Sequence, residues 1–149
     1  ALGSGEYGLE QSLERLRAEY PKQVSIYIGY HNRLAHRIYA ASDFFMMPSL
    51  FEPCGIGQLI AMRYGSLPIV RRTGGLKDTV TIFNGHNLDV ATGYGFDEYD
   101  EYWMRLTVNF ALENYKNTAL HTQLVKNAMS SDVSWKKSAR LYLNLFKSM

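Results

Sequence analysis

The chain is predicted to be an α/β domain: a parallel sheet with helices on both faces, truncated at its N-terminal side and followed by extra C-terminal helices. Three observations carry this. Strand-like and helix-like segments alternate three times with short connections in the first half, the pattern of a parallel sheet wrapped by helices. One segment, "DFFMMP", is a nearly continuous apolar run, as a strand covered on both faces requires. Glycine-rich turns follow the strands, at "GSGE", "SLFEPCGIG" and "RTGG".

The elements can be justified in order. "ALGSGEYG" reads as the tail of a strand running into a glycine turn with nothing before it, which predicts a single partial domain over 1–149, a piece of a longer protein. "LEQSLERLRAEYP" sets Leu9, Leu13, Leu16 and Tyr20 on one helical face and stops at Pro21. "VSIYIGY" alternates and is β-branched or aromatic, a strand. Asn32 is placed to cap a helix through Leu34, Ile38 and Ala41. "DFFMMP" is the next strand, and a helix from about Ile56 to Tyr64 ends at Gly65. The strand "LPIVRR", the turn "TGGL" and a short helix around Lys77 to Val80 complete the alternation. "NGHNLDVATGYG" reads as an exposed Gly/Asn-rich loop. Three amphipathic helices follow, roughly Glu98 to Tyr115, Thr118 to Met129 and Ser134 to Lys147; the aromatic-rich "WMRLTVNFALENY" is read as core packing.

Composition narrows the function. The 149 residues can bury a core, and 46% hydrophobic with 20% charged content is ordinary for a globular protein. A net charge of +2 is too small to argue for nucleic acid or an anionic membrane as the main partner, and neither is expected. The single cysteine, Cys54, excludes an internal disulfide and disfavours a thiolate metal cluster. No apolar run reaches the length of a membrane span, and no signal peptide opens the chain; the expected location is the cytoplasm.

Ligands of an open parallel sheet bind beyond the carboxyl ends of its strands. Four segments fall there: Gly3 to Glu6, Gly29 to Asn32, Ser49 to Gly57 and Arg72 to Gly75, and all should gather on one edge. Glycine lets a ligand approach the backbone closely. A helix beginning at Gly55 to Gly57 offers unpaired N–H donors and a positive dipole end to a phosphate or a sugar hydroxyl. Glu52 stands alone beside that site. Physics alone stops at an α/β domain that binds a phosphorylated or polyhydroxy ligand. His31 and His36 lack companions for a metal set and read as structural polar groups. Cys54 lacks an oriented base and reads as a small buried residue. Tyr30 ends a strand at the ligand edge, where its ring could stack on a base or pack at the rim.

The run "PSLFEPCGIGQLIAMRYGSLPIVRRTGGLKDTV" resembles the core motif of bacterial glycogen synthases and plant starch synthases, P-S-x-F-E-P-C-G-L-x-Q-L-x-A-M-x-Y-G followed by P-V-V and T-G-G-L-x-D-T-V. The likeness extends to "LGSGE", to "GYHNRLAHRIYAASDFFMMPS", to "ATGYGF" and to "SWKKSARLYLNLF", and so covers nearly the whole chain in order. The resemblance implies the nucleotide-sugar-binding half of a two-domain GT-B glycosyltransferase, with a Rossmann-like parallel sheet. It implies retaining transfer of glucose from ADP-glucose or UDP-glucose to the non-reducing end of an α-1,4-glucan, without metal or other cofactor, in the cytoplasm or, in a plant, the plastid. Glu52 matches the family's cleft glutamate on the donor glucose. Pro53, Cys54, Gly55, Ile56, Gly57 and Gln58 match the run that holds sugar hydroxyls and diphosphate, largely through backbone. Tyr30 matches the ring stacked on the nucleotide base, and Thr73, Gly74 and Gly75 match the second glycine loop of the same pocket.

Three departures go with this. The family's acceptor-binding domain does not appear in the sequence, nor do the first strands of the donor domain, where an Arg and a Lys neutralise the departing diphosphate. The chain alone is therefore expected to be inactive, with the glucan acceptor held through the missing domain. Gly57 stands where the family often has Thr. Ile60, eight residues after Glu52, stands where broader relatives with an E-x7-E motif keep a second glutamate, which favours the synthase subgroup over those relatives. Two further readings differ in class: a non-catalytic glucan- or nucleotide-binding module, and a related retaining transferase with another acceptor.

Overall fold

A computed structural model describes all 149 residues, which fall into two units, Ala1–Ile38 and Tyr39–Met149. In the first, β1 (Leu2–Gly3) pairs in parallel with β2 (Tyr27–Ile28), Leu2 opposite Tyr27 and Gly3 opposite Ile28. The strand expected over "VSIYIGY" is thus shortened to two residues, because a strand extends only as far as a partner hydrogen-bonds to it. Helix α1 (Tyr7–Glu19) stops before Pro21 as its sequence requires. Leu9, Leu13 and Leu16 lie along it but remain exposed.

Helix α2 (Asn32–Ala41) begins one residue earlier than a capping Asn32 would allow. His31 is the cap instead: its Nδ1 accepts the backbone N–H of Leu34 at 3.2 Å. This is the polar structural role read for His31 from sequence, in a particular form.

The second unit is a parallel sheet of β3 (Phe44–Met47), β4 (Leu67–Arg71) and β5 (Tyr94–Phe96), in that order. Phe44 pairs with Leu67 and Met47 with Val70 on one side of β4, and Ile69 with Tyr94 on the other. Leu67 to Val70 are all buried, so the central strand is covered on both faces. Neighbouring residues on β4 enter different clusters. Leu67 and Ile69 join Met62 of α3 (Gly57–Tyr64), Tyr94, Ala111 of α5 (Glu101–Tyr115), and Leu124 and Ala128 of α6 (Thr118–Ser130). Val70 joins Leu76 of α4 (Gly74–Thr79) and Val80. Opposite-facing side chains of one strand therefore select the helices on the two faces, as predicted. The single sheet anticipated from the alternation is two parallel ladders.

Helix α3 ends at Gly65, whose φ of 82° is left-handed, the conformation that favours glycine at this position. Asp100 and Asn117 cap α5 and α6 through their side chains, each accepting a first-turn N–H. No residue of α7 (Trp135–Ser148) is buried, and no helix is long and apolar enough to cross a membrane.

Three expectations are corrected. The "TGGL" turn is itself the start of α4, which runs from Gly74. The loop read as exposed over "NGHNLDVATGYG" is buried from Ala91 to Tyr94 and contributes β5; its glycines disguised the strand. A Cβ at Gly93 would come within 2.6 Å of the Pro68 carbonyl oxygen, so close contact with β4 demands glycine there. The aromatic helix α5 is only partly core: Ala111 is buried, while Trp103, Leu106, Phe110 and Tyr115 remain exposed. It lies against β5, an edge strand that covers one strip of it.

Candidate functional site

The two glycine loops of the second unit meet at the carboxyl ends of β3 and β4. One, 48–56, joins β3 to α3 and carries Glu52; the other is 72–73 with the first residues of α4, Gly74 and Gly75, and joins β4 to that helix. The backbone N–H of Gly75 donates to the carbonyls of Glu52 and Pro53, each at 3.2 Å. The contact tolerates no side chain. A Cβ on Gly74, whose φ is +46°, would stand 1.9 Å from the Glu52 carbonyl oxygen, and one on Gly75 would stand 2.0 Å from that of Cys54. Approach of a ligand was the reason given for these glycines from sequence. Approach of one loop to the other is the reason the geometry supplies.

Glu52 is half-buried, and the Ser49 hydroxyl donates to its Oε2 at 3.5 Å. Behind it the chain turns into α3. Gly55 (φ +70°) makes the turn, and Ile56 occupies the N-cap with no side-chain hydrogen bond to the helix. The first-turn N–H groups thus lack the side-chain cap that α5 and α6 possess, which leaves them and the positive end of the helix dipole for an anion or a hydroxyl. Gly57 is explained by packing: a Cβ there would approach the Phe45 ring to 3.1 Å and the Tyr39 hydroxyl to 3.3 Å.

Gln58 lies on the inner side of this turn and is fully buried. Its Nε2 donates to the Gly55 carbonyl at 2.9 Å, to the Thr79 hydroxyl at 3.0 Å and to the Cys54 carbonyl at 3.4 Å. Thr79 in turn donates to the Gly75 carbonyl at 2.6 Å. Direct ligand contact, the sequence-based role of Gln58, gives way to a brace between the two loops, because its amide is shut inside them. Cys54 differs in the opposite sense: read as buried, it is exposed, with its backbone rather than its thiol in the contacts above.

Thr73 caps α4 without a side-chain bond, and Pro53 and Ile56 are exposed. Tyr30 follows β2 in the first unit and is 86% exposed. Sequence reasoning brought together Glu52, Pro53 to Gly57 and Thr73 to Gly75, and these do converge. It missed Arg71. From the end of β4, Arg71 donates to the carbonyls of Leu50 (2.9 Å), Ser49 (3.4 Å) and Asp97 (3.1 Å). Arg72 pairs with both oxygens of Asp97 at 3.1 Å. An arginine ending an otherwise apolar strand, immediately before a glycine loop, was the available signal. A hollow of about 510 Å³ between β5 and α5 is lined by Phe83, Glu98 and Trp103 among others, and by none of the predicted site residues.

Comparison with known proteins agrees with the fold. No family model matches the chain. Glycogen synthase of Bacillus cereus (strain Q1) is 49% identical over 148 residues, 99% of this chain and 31% of that protein. Glycogen synthase of Clostridium perfringens is 47% identical over the same share of the chain and 30% of its own length. Among solved structures, the catalytic domain of starch synthase IV from Arabidopsis thaliana, bound to ADP and acarbose, superposes with a TM-score of 0.85 at 36% identity. The match covers 98% of this chain and 31% of that one. Sucrose-phosphate synthase from Thermosynechococcus elongatus shares the fold, with a TM-score of 0.67 at 22% identity. The chain thus spans about a third of the length of the curated relatives it matches.

Proposed function

We propose that this chain, homologous along its whole length to one part of the glycogen synthases, is the donor-binding part of a retaining glucosyltransferase. Its donor is ADP-glucose or UDP-glucose, and the acceptor is the non-reducing end of an α-1,4-glucan. The observation that carries the reading is the clamp of Gly74 and Gly75 on the Glu52 loop. It fixes a carboxylate next to an uncapped helix N-terminus, an acid for the sugar and N–H donors for the diphosphate in one rigid element.

In this reading Glu52 holds the donor glucose and supports the positive charge that develops at its reacting carbon, a contribution largest in the transition state. Backbone from Pro53 to Gly57 receives sugar hydroxyls and the diphosphate, with Thr73 to Gly75 as the opposite wall. Gln58 holds that backbone from behind. Tyr30 offers its ring to the nucleotide base. The departing nucleoside diphosphate needs cations, yet Arg71 is directed to carbonyls and Arg72 to Asp97. Neutralisation and acceptor binding are accordingly assigned to parts of the protein beyond this sequence, and the chain alone is inactive. The enzyme is a cytoplasmic one, or plastidic if from a plant.

Calorimetric titration of the chain with ADP, UDP and a maltooligosaccharide, alongside a radiolabelled glucose-transfer assay, tests this. The expected result is heat from a nucleotide and no transfer by the chain alone. Binding of the glucan with neither nucleotide bound would replace the proposal with a glucan-binding module. Glucose transfer by the chain alone would remove the assignment of the missing cations.

A further inference from the structure

We infer that Arg71 is a positioning residue for Glu52, a role that rests on the donor-binding reading above. The guanidinium spans two separate loops. Nη1 donates to the carbonyls of Ser49 and Leu50, three and two residues ahead of Glu52, while Nε donates to the carbonyl of Asp97 beyond β5. The face of the same group lies 5.5 Å from the centroid of the Tyr99 ring, within cation–π range.

The geometry accounts for the residue type. A guanidinium presents donors in a fixed planar fork, so it can tie carbonyls from two directions at once; an ammonium is a single point charge on a flexible stem and cannot keep both loops in register. Charge-assisted bonds of this kind are also stronger than neutral ones. The strand end is itself fixed, since Val70 is buried and Arg71 pairs with Phe96 on β5. The loop bearing Glu52 is therefore held from two sides, by Gly75 through its own carbonyl and by Arg71 through the residues before it. With one hold removed, the carboxylate keeps its chemistry and loses its place. A misplacement of about 1 Å can cost about 100-fold in rate.

Two readouts test the inference separately from the reading beneath it. The first needs no activity: amide hydrogen exchange of Gly75, whose N–H reports on its bonds to the Glu52 loop, in this chain. Arg71→Lys should speed its exchange about 10-fold while the melting temperature of the chain stays nearly constant. Unchanged exchange would overturn the inference. The second is a double-mutant cycle in a full-length synthase carrying this sequence. Arg71→Lys should lower kcat about 10- to 100-fold and lower it no further in a Glu52→Gln background, since a residue that acts through Glu52 has nothing left to position. Additive losses would make Arg71 a merely structural residue and refute the role. If wild-type protein transfers glucose from neither donor, the donor reading falls and the exchange measurement alone decides whether Arg71 holds the loop.

Discussion

The N–H of Gly75 donates to the carbonyl of Glu52 at 3.2 Å, so the second glycine loop is bonded to the one acid of the first. Every other feature of the site is arranged around this contact. Gly74 and Gly75 leave room for it, Gln58 braces it from inside, and Arg71 fixes the residues leading into it.

Adding a methyl group at Gly74 should break it. Gly74→Ala places a Cβ 1.9 Å from the Glu52 carbonyl oxygen and also forces a non-glycine residue to φ +46°. The left-handed backbone alone costs about 1–2 kcal/mol, and overpacking adds about 1–3 kcal/mol. Gly85→Ala supplies the control, because Gly85 also has positive φ (+92°) but nothing within 4 Å of its Cβ position. Urea denaturation should show Gly74→Ala losing clearly more stability than Gly85→Ala. Equal losses would mean the loops separate without cost.

Gln58 makes its contribution as a buried amide. Gln58→Leu fills most of the space but leaves the Gly55 carbonyl and the Thr79 hydroxyl without their shared donor. A cost of roughly 1–3 kcal/mol follows, with weaker nucleotide binding because the turn at Gly55 loosens. Unaltered denaturation midpoints and binding heats in this variant would show that the brace is dispensable.

Tyr94 gives the pH dependence. Burial pushes its phenol up to about 12, so the folded state keeps the proton that the unfolded chain loses from about pH 10. Above that pH the native state binds more protons than the unfolded state, and stability falls as the pH rises. The stabilisation is complete below about pH 10 and is lost as the pH climbs toward 12. The hydroxyl is buried with no hydrogen-bond partner, so Tyr94→Phe should cost nothing at neutral pH and gain up to about 1 kcal/mol. It should also flatten the decline between pH 10 and 12. Denaturation at pH 8 and pH 11 checks both; a steep alkaline decline surviving in Tyr94→Phe would assign it to other groups.

Much of this architecture is written in local pattern. "DFFMMP" and "LPIVRR" declared strands, but the coverage on both faces expected of "DFFMMP" belongs to β4 instead: β3 is an edge strand with no buried residue and with Met46 exposed. Gly65 marked the end of α3 because a left-handed residue was needed there. β5 was hidden because its close packing requires Gly93 and Gly95, residues that otherwise signal a loop. The length of β2 depends on a partner elsewhere in the chain, which no local pattern reports. Within the site, the glycines and Glu52 stood out by type. The burial of Gln58, the exposure of Cys54 and the reach of Arg71 depend on how two distant loops touch, and no spacing in the sequence carries that information.

The central claim is that Glu52 acts on the donor glucose. Its most direct test is the turnover of a full-length synthase carrying this sequence, with Glu52→Ala compared against wild type at saturating donor. The predicted result is a loss of at least about 100-fold in kcat, the scale of removing one group that stabilises a transition state, with the melting temperature preserved. A variant that keeps near-normal kcat would contradict the account.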